Sequence, residues 1–257
     1  MSRCIAVVSG KGGVGKTTTA INISTSMNKH GKRAVLVDSN VSAPNVGLHL
    51  GINNPKKTLN QAIRNDINIK DAIHKHSSGL KLIPASLSID ELKVIDIENF
   101  RNFIPEINKY ADIVVLDAAA GLNSEALAVL ESCDEVLVVT TPDLTSVTDA
   151  LRTMKVAEFL EKPIIGVVLN MLRNDKFEMK QKAIEEILGY PVITKIPYHK
   201  HVKEAFRKKQ PVVHSHPKSK VSKEYERLVS FILGEKYFET AKQNTMMNYV
   251  LRKLGLL

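Results

Sequence analysis

The chain has no tryptophan, 5% aromatic residues and only two cysteines in 257 residues. Its core must therefore be aliphatic, and a hydrophobic content of 44% is enough for a sizeable one. Cys4 and Cys133 form no C-x-x-C pair, and a reducing compartment is the default expectation. Both fall in or beside apolar runs and read as buried small hydrophobes. No apolar run approaches the roughly 18 residues of a spanning helix. Residues 1–8 lack the charged and apolar regions of a signal peptide, so a cytoplasmic, reducing location is expected. There is no internal repeat, low-complexity tract or long linker.

Acidic residues are in deficit, 27 against 36 Lys and Arg, giving a formal net charge of +9. That excess favours an anionic partner, either nucleic acid or an acidic membrane surface, and does not choose between them.

The richest stretch is Ser9-Gly10-Lys11-Gly12-Gly13-Val14-Gly15-Lys16-Thr17-Thr18. It contains G-x-x-x-x-G-K-T, a phosphate-binding loop with a second lysine, Lys11, inside it. The glycines let backbone N–H groups crowd around phosphate oxygens. Lys16 reaches the β- and γ-phosphates, and the Thr17 hydroxyl suits Mg²⁺. The apolar run Cys4–Val8 precedes the loop and a helical pattern over Thr17–Lys29 follows, so the phosphate would sit on a helix N-terminus. Gly10-x-Gly12-x-x-Gly15 also fits the dinucleotide fingerprint, with Asp38 about 20 residues on as a ribose ligand. That alternative leaves Lys16 and Thr17 unexplained.

Further apolar runs end at Asp38, Pro84, Asp117, Thr140, Asn170 and Pro197. Near-continuous Val/Ile/Leu runs separated by helical patterns predict an α/β fold of the P-loop NTPase type: a mostly parallel sheet with helices on both faces. Residues 1–234 are expected to form the ATPase domain and 235–257 a tail, with Gly234 ending the last core helix. Ligands gather at the carboxyl ends of such strands, where Asp38, Asp117, Asn170 and the loop all fall. Asp117 fits the Walker B role through a metal-bound water, and Asp38 similar work. The metal set is then Thr17, Asp38 and Asp117. Asn170 offers a donor and an acceptor to an adenine edge. Three His-x-His pairs, at 74/76, 199/201 and 214/216, read as surface histidines.

With Lys11, Asp38, Asn45, Asp117 and Asn170 placed, the chain resembles the MinD/ParA family of deviant Walker-A ATPases, most of all its MinD branch, over residues 3–233. The resemblance implies ATP-dependent dimerisation with two nucleotides between the protomers. Lys11 would then cross the interface and neutralise transition-state charge in the other site, as an arginine finger does. Residues 37–45 and 117–122 match the family's two switches. The family usually has Asp-x-Asp where this chain has Asp38-x-Asn40. Asn40 orients water but cannot accept its proton, so slow hydrolysis is expected.

In the tail, Met247, Val250, Leu251, Leu254 and Leu257 form one apolar stripe on a helix, with Arg252 and Lys253 mostly opposite. The pattern fits an interfacial membrane helix or a helix packed on protein. The resemblance favours the membrane, and pairing two tails in an ATP-bound dimer would raise avidity by about 100-fold. The leading expectation is an ATPase that uses ATP/ADP and Mg²⁺. It would dimerise with ATP, attach to anionic membrane and position an unidentified protein partner, as in cell division. The alternative is a partition ATPase that binds DNA nonspecifically through the basic run 203–209. An iron–sulfur carrier with the same loop would need a pair of interface cysteines that this chain lacks.

Overall fold

Alternate residues of the first strand, β1 (Arg3–Val8), enter opposite layers of core. Cys4, Ala6 and Val8 join one apolar cluster, Ile5 and Val7 the other. A strand buried on both faces needs helices on both faces, and the rest of the chain supplies them. In the computed structural model, which describes residues 2–88 and 97–235, β1 leads to α1 (Lys16–Lys29), β2 (Ala34–Asp38) and three short helices. These are α2 (Val46–Leu50), α3 (Leu59–Ile63) and α4 (Ile69–Ala72). After β3 (His74–Lys75) and β4 (Lys81–Ile83) come α5 (Ile97–Ile107), β5 (Ile113–Asp117), α6 (Ser124–Ser132) and β6 (Glu135–Thr140). The chain continues through α7 (Leu144–Phe159), β7 (Ile164–Leu172), α8 (Gln181–Leu188) and β8 (Val192–Pro197). It then forms α9 (Lys200–Arg207), α10 (Val212–Ser215) and α11 (Lys220–Leu233).

The eight strands form one sheet in the order β3-β4-β2-β5-β1-β6-β7-β8. Only β3 runs antiparallel. The seven strands expected from apolar runs all form, and the sheet is mostly parallel and covered on both faces, as expected. One layer holds residues of α3, α5, α6, α7 and α8. The other holds residues of α1, α9, α10 and α11, with Tyr225 fully buried. Gly234 ends α11 at φ 68°, a left-handed C-cap.

Two expectations need correction. His76, read as a surface histidine, is buried, and its pair-mate His74 is half-buried in the two-residue strand β3, which pairs with β4. The β7 strand does not stop at Asn170 but runs on to Leu172, with register shifts against β8. The tail residues Met247, Val250, Leu251, Arg252, Lys253, Leu254 and Leu257 lie outside the described residues.

From β1 the chain crosses to β2 on one side, and β6 lies on the other. This reversal leaves a crevice at the carboxyl end of β1, where the glycine loop begins.

Candidate nucleotide site

Residues 9–15 fold back over the carboxyl end of the sheet. Ser9 Oγ donates to the Lys11 carbonyl at 3.0 Å. Gly10 passes so close to α7 that a Cβ there would lie 2.1 Å from the Asp149 backbone. Gly15 is the N-cap of α1 at φ 92°, a conformation that favours glycine. No side chain caps this helix, whereas Asn123, Asp143 and Ser219 cap α6, α7 and α11. The first N–H groups of α1 are left to an anion, with the positive end of the helix dipole behind them.

Lys16 opens α1 and is buried. Its Nζ lies 2.9 Å from Asp117 Oδ1 and also donates to the Ala118 carbonyl. Asp117 and Asp38 end the adjacent strands β5 and β2 as register partners, both fully buried. Asp38 Oδ2 accepts from the N–H groups of Asn45 at 3.1 Å and Val46 at 3.0 Å. Burial and the neighbouring Asp117 push the Asp38 carboxyl from 3.8 up to about 8. Asp38 Oδ1 and Asp117 Oδ2 are buried with no hydrogen-bond partner. Two orphaned carboxylate oxygens beside a phosphate cradle are hard ligands suited to Mg²⁺, and the Thr17 hydroxyl stands at the same helix start. The side chains present therefore fit the cofactor expected from the sequence.

A cavity of about 300 Å³ covers the loop, lined by Lys11, Lys16, Thr17, Thr18, Asn40 and His49 among others. A second, of about 430 Å³, opens on the far side of the loop against Pro142, Ser146, Arg173 and Phe177. Lys11, Gly12 and Gly13 are exposed where the two cavities share a wall, while Val14 is buried beneath them. Asn40 donates from Nδ2 to the Ala43 carbonyl at 2.7 Å.

Asn170 supports the loop from behind. Its Nδ2 donates to the Val14 carbonyl at 2.8 Å, and its Oδ1 accepts from the Met171 N–H at 2.9 Å. A Cβ on Gly15 would fall 2.2 Å from that Nδ2. Any contact with a base edge must use the amide's remaining hydrogen and lone pair.

Sequence reasoning missed His49, which lines the first cavity from α2. Burial holds its imidazole below the ordinary range, so it is neutral at pH 7. Its place one helical turn after Asn45, in the first switch, was the available signal. Asn45 itself begins α2. The cysteines are buried as expected, and burial pushes both thiols up, Cys133 to about 11.

Comparison with known proteins agrees with this geometry. The ParA family model, described as a NUBPL iron-transfer P-loop NTPase, matches residues 1–233. The iron-transfer wording finds no exposed thiol, because both cysteines of the chain are in the core. An uncharacterised ATP-binding protein of Methanocaldococcus jannaschii is 35% identical over 90% of this chain and 88% of its own length. The cell-division ATPase MinD of Pyrococcus furiosus superposes with a TM-score of 0.86 at 28% identity, covering 91% of this chain and 99% of the other. Pyrococcus horikoshii MinD, solved with Mg-ADP, superposes with a TM-score of 0.85 at 26% identity, covering 90% and 96%. The chain belongs to the ParA family of P-loop NTPases, and its structural neighbours include MinD septum site-determining ATPases.

Proposed function

We propose that this protein is an ATP-dependent dimerising switch that hydrolyses ATP slowly, attaches reversibly to anionic membrane and positions another protein there, as in cell division. The observation that carries the reading is the unequal commitment of the two loop lysines. Lys16 is buried and paired with Asp117. Lys11 is exposed at the cavity rim and has no ion pair among the described residues. One chain uses one lysine, and the other is available to a phosphate held by a second copy.

In this reading the loop N–H groups and the α1 N-terminus hold the phosphates of ATP, and Lys16 turns from Asp117 to the β- and γ-oxygens. Thr17 would hold the metal, supported by Asp38 and Asp117. When bound, Mg²⁺ would supply charge neutralisation at the phosphates. Lys11 from the second copy stabilises charge on the transferring group. Asn40 orients the attacking water without taking its proton, which supports slow turnover.

Residues 1–234 are the ATPase unit and 235–257 the attachment segment, with the membrane part resting on the sequence pattern of Met247 to Leu257. A second reading, nonspecific DNA binding, is supported by Lys203 and Arg207 on α9 and Lys208 at its C-cap, all exposed to solvent.

Sedimentation with anionic vesicles tests the choice, comparing ATP, ADP and a chain ending at Thr245. The membrane reading expects pelleting with ATP only, abolished by the truncation. No pelleting in any state, together with steeply salt-dependent binding to duplex DNA, would replace it with the second reading.

A further inference from the structure

Among the described residues, ligand-type side chains away from the nucleotide site converge at the edge formed by α9 and the end of α10. We propose that His201, Glu204 and His216 bind one zinc-class divalent transition-metal ion. Sequence spacing separates the pairs 199/201 and 214/216, but the fold brings a member of each together with a carboxylate. The reading as independent surface histidines is corrected for His199, His201 and His216, whose rings pack on one another, while His214 is exposed as expected.

His201 and Glu204 lie three residues apart on α9 and so share a face. His216 is the C-cap of α10. Its N–H donates to the Val212 carbonyl at 2.8 Å, and its own carbonyl accepts from the Ser219 N–H at 3.0 Å and from Ser222 Oγ at 2.8 Å. The backbone carrying this ligand is thus fixed. One candidate ligand atom from each of the three residues falls within 4.8 Å of the other two. His216 Nε2 is 3.2 Å from Glu204 Oε2, and His201 Nε2 is 4.0 Å from the same oxygen. The two imidazoles stack at 4.4 Å with planes 12° apart.

Of the two imidazoles, His216 reaches Glu204 at hydrogen-bonding distance. His201 Nε2 is beyond hydrogen-bonding reach of Glu204, and His201 Nδ1 is buried with no partner. The His201 ring is held between His199 at 4.4 Å and His216 at 4.4 Å, with Nε2 as the atom nearest Glu204. A metal ion gives both imidazoles and the carboxylate a common acceptor. Two imidazoles with one carboxylate are ligands that zinc takes, with a fourth position left to water. Metal–nitrogen distances of about 2.1 Å require the groups to close in by roughly an ångström. Their partial exposure, 29% for His201, 42% for Glu204 and 17% for His216, leaves room for that movement and for entry of the ion. His216 also has an outer support, since Ser215 Oγ lies 3.0 Å from its Nδ1 and orients the ring toward Glu204 through Nε2. The ion would clasp α9 to the segment leading into α11.

The test is a zinc titration of the full-length, untagged, metal-stripped protein against a chromophoric chelator, without nucleotide or Mg²⁺. One zinc per chain is expected. His201→Ala and His216→Ala should each weaken it by more than about 100-fold, beyond the loss usual for an outer-shell partner. His74→Ala, in the remaining His-x-His pair, should leave it unchanged. Equal affinity in parent and His216→Ala, or an equal loss in His74→Ala, would overturn the proposal. Glu204→Gln guards against a folding defect, since it keeps the side-chain shape and removes the anionic ligand. The visible bands of a four-coordinate Co²⁺ complex should appear in the parent and not in Glu204→Gln, and their persistence in that variant would also overturn the site.

Discussion

On the inner side of the phosphate loop, Lys16, Asp117, Asp38 and Asn170 are buried; Lys16 and Asn170 tie the loop to β5 and β7, and Asp38 holds the start of α2 to β2. On the outer side, Lys11, Gly12 and Gly13 face solvent. Burying charge is costly unless it is paired, so Lys16 and Asp117 meet within a single chain, while the orphaned oxygens of Asp38 and Asp117 suit a bound cation. The outer side carries no such demand, and a lysine there keeps its hydration until another charged body covers it. In the proposed function, the contrast separates what one chain would do alone, holding a nucleotide, from what would need a second, hydrolysing it.

The sharpest way to break this comparison is to remove each lysine separately. Lys11→Ala should lower ATP turnover by about 1,000-fold, the low end for a charge supplied in trans, while ATP affinity stays within a few-fold. Steady-state hydrolysis and equilibrium nucleotide binding read the two effects. A loss of affinity matching the loss of turnover would mean that both lysines serve one site. Lys16→Ala should do the opposite first, weakening ATP binding by roughly 100-fold, as expected for a lost charge-assisted contact. It also leaves Asp117 buried without its partner, so urea unfolding should show about 3 kcal/mol of destabilisation.

The buried side carries its own pH signature. Asp38 has its carboxyl raised to about 8 in the folded chain against an ordinary 3.8. Between those values the folded protein keeps a proton that the unfolded chain releases. Stability of the nucleotide-free, Mg²⁺-free protein should therefore fall as pH rises through that window, by about 1.4 kcal/mol per unit from this group. Asp38→Asn should flatten the slope, measured by urea unfolding at successive pH values. An unchanged slope would show that Asp38 is already ionised when buried.

Much of this was legible in the sequence because it is local. The loop pattern, the Val/Ile/Leu runs and the acids that end them specify β1, β2, β5 and the positions of Lys16, Asp38 and Asp117. Strand β3 was not legible, since two residues carry no periodicity and its pairing with β4 depends on the turn at Gly79. The support role of Asn170 was hidden for another reason. A buried amide bonded to Val14 across the fold looks, in one dimension, like any asparagine after a strand. The joining of His201 and Glu204 with His216 depends on how α9 and α10 pack, which linear spacing does not encode.

The smallest effect is expected at Asn40, on the boundary between the two sides. It lines the phosphate cavity, and its Nδ2 is held by the Ala43 carbonyl at 2.7 Å. Asn40→Asp introduces a group able to accept the proton of the attacking water, but it loses that bond, because a carboxylate cannot donate to a carbonyl. It also adds negative charge near Asp38 and Asp117. Phosphoryl transfer passes through a loose transition state in which a base contributes little, so the gain should fall well below the usual range for general-base catalysis. Turnover should rise by about 5-fold, with an increased requirement for Mg²⁺, and both are read from hydrolysis rates across a Mg²⁺ titration. No change in rate at saturating Mg²⁺ would mean that the missing proton acceptor at position 40 does not limit turnover, and the reading of Asn40 would be wrong. The limit would then lie on the outer side, in assembly of the second lysine.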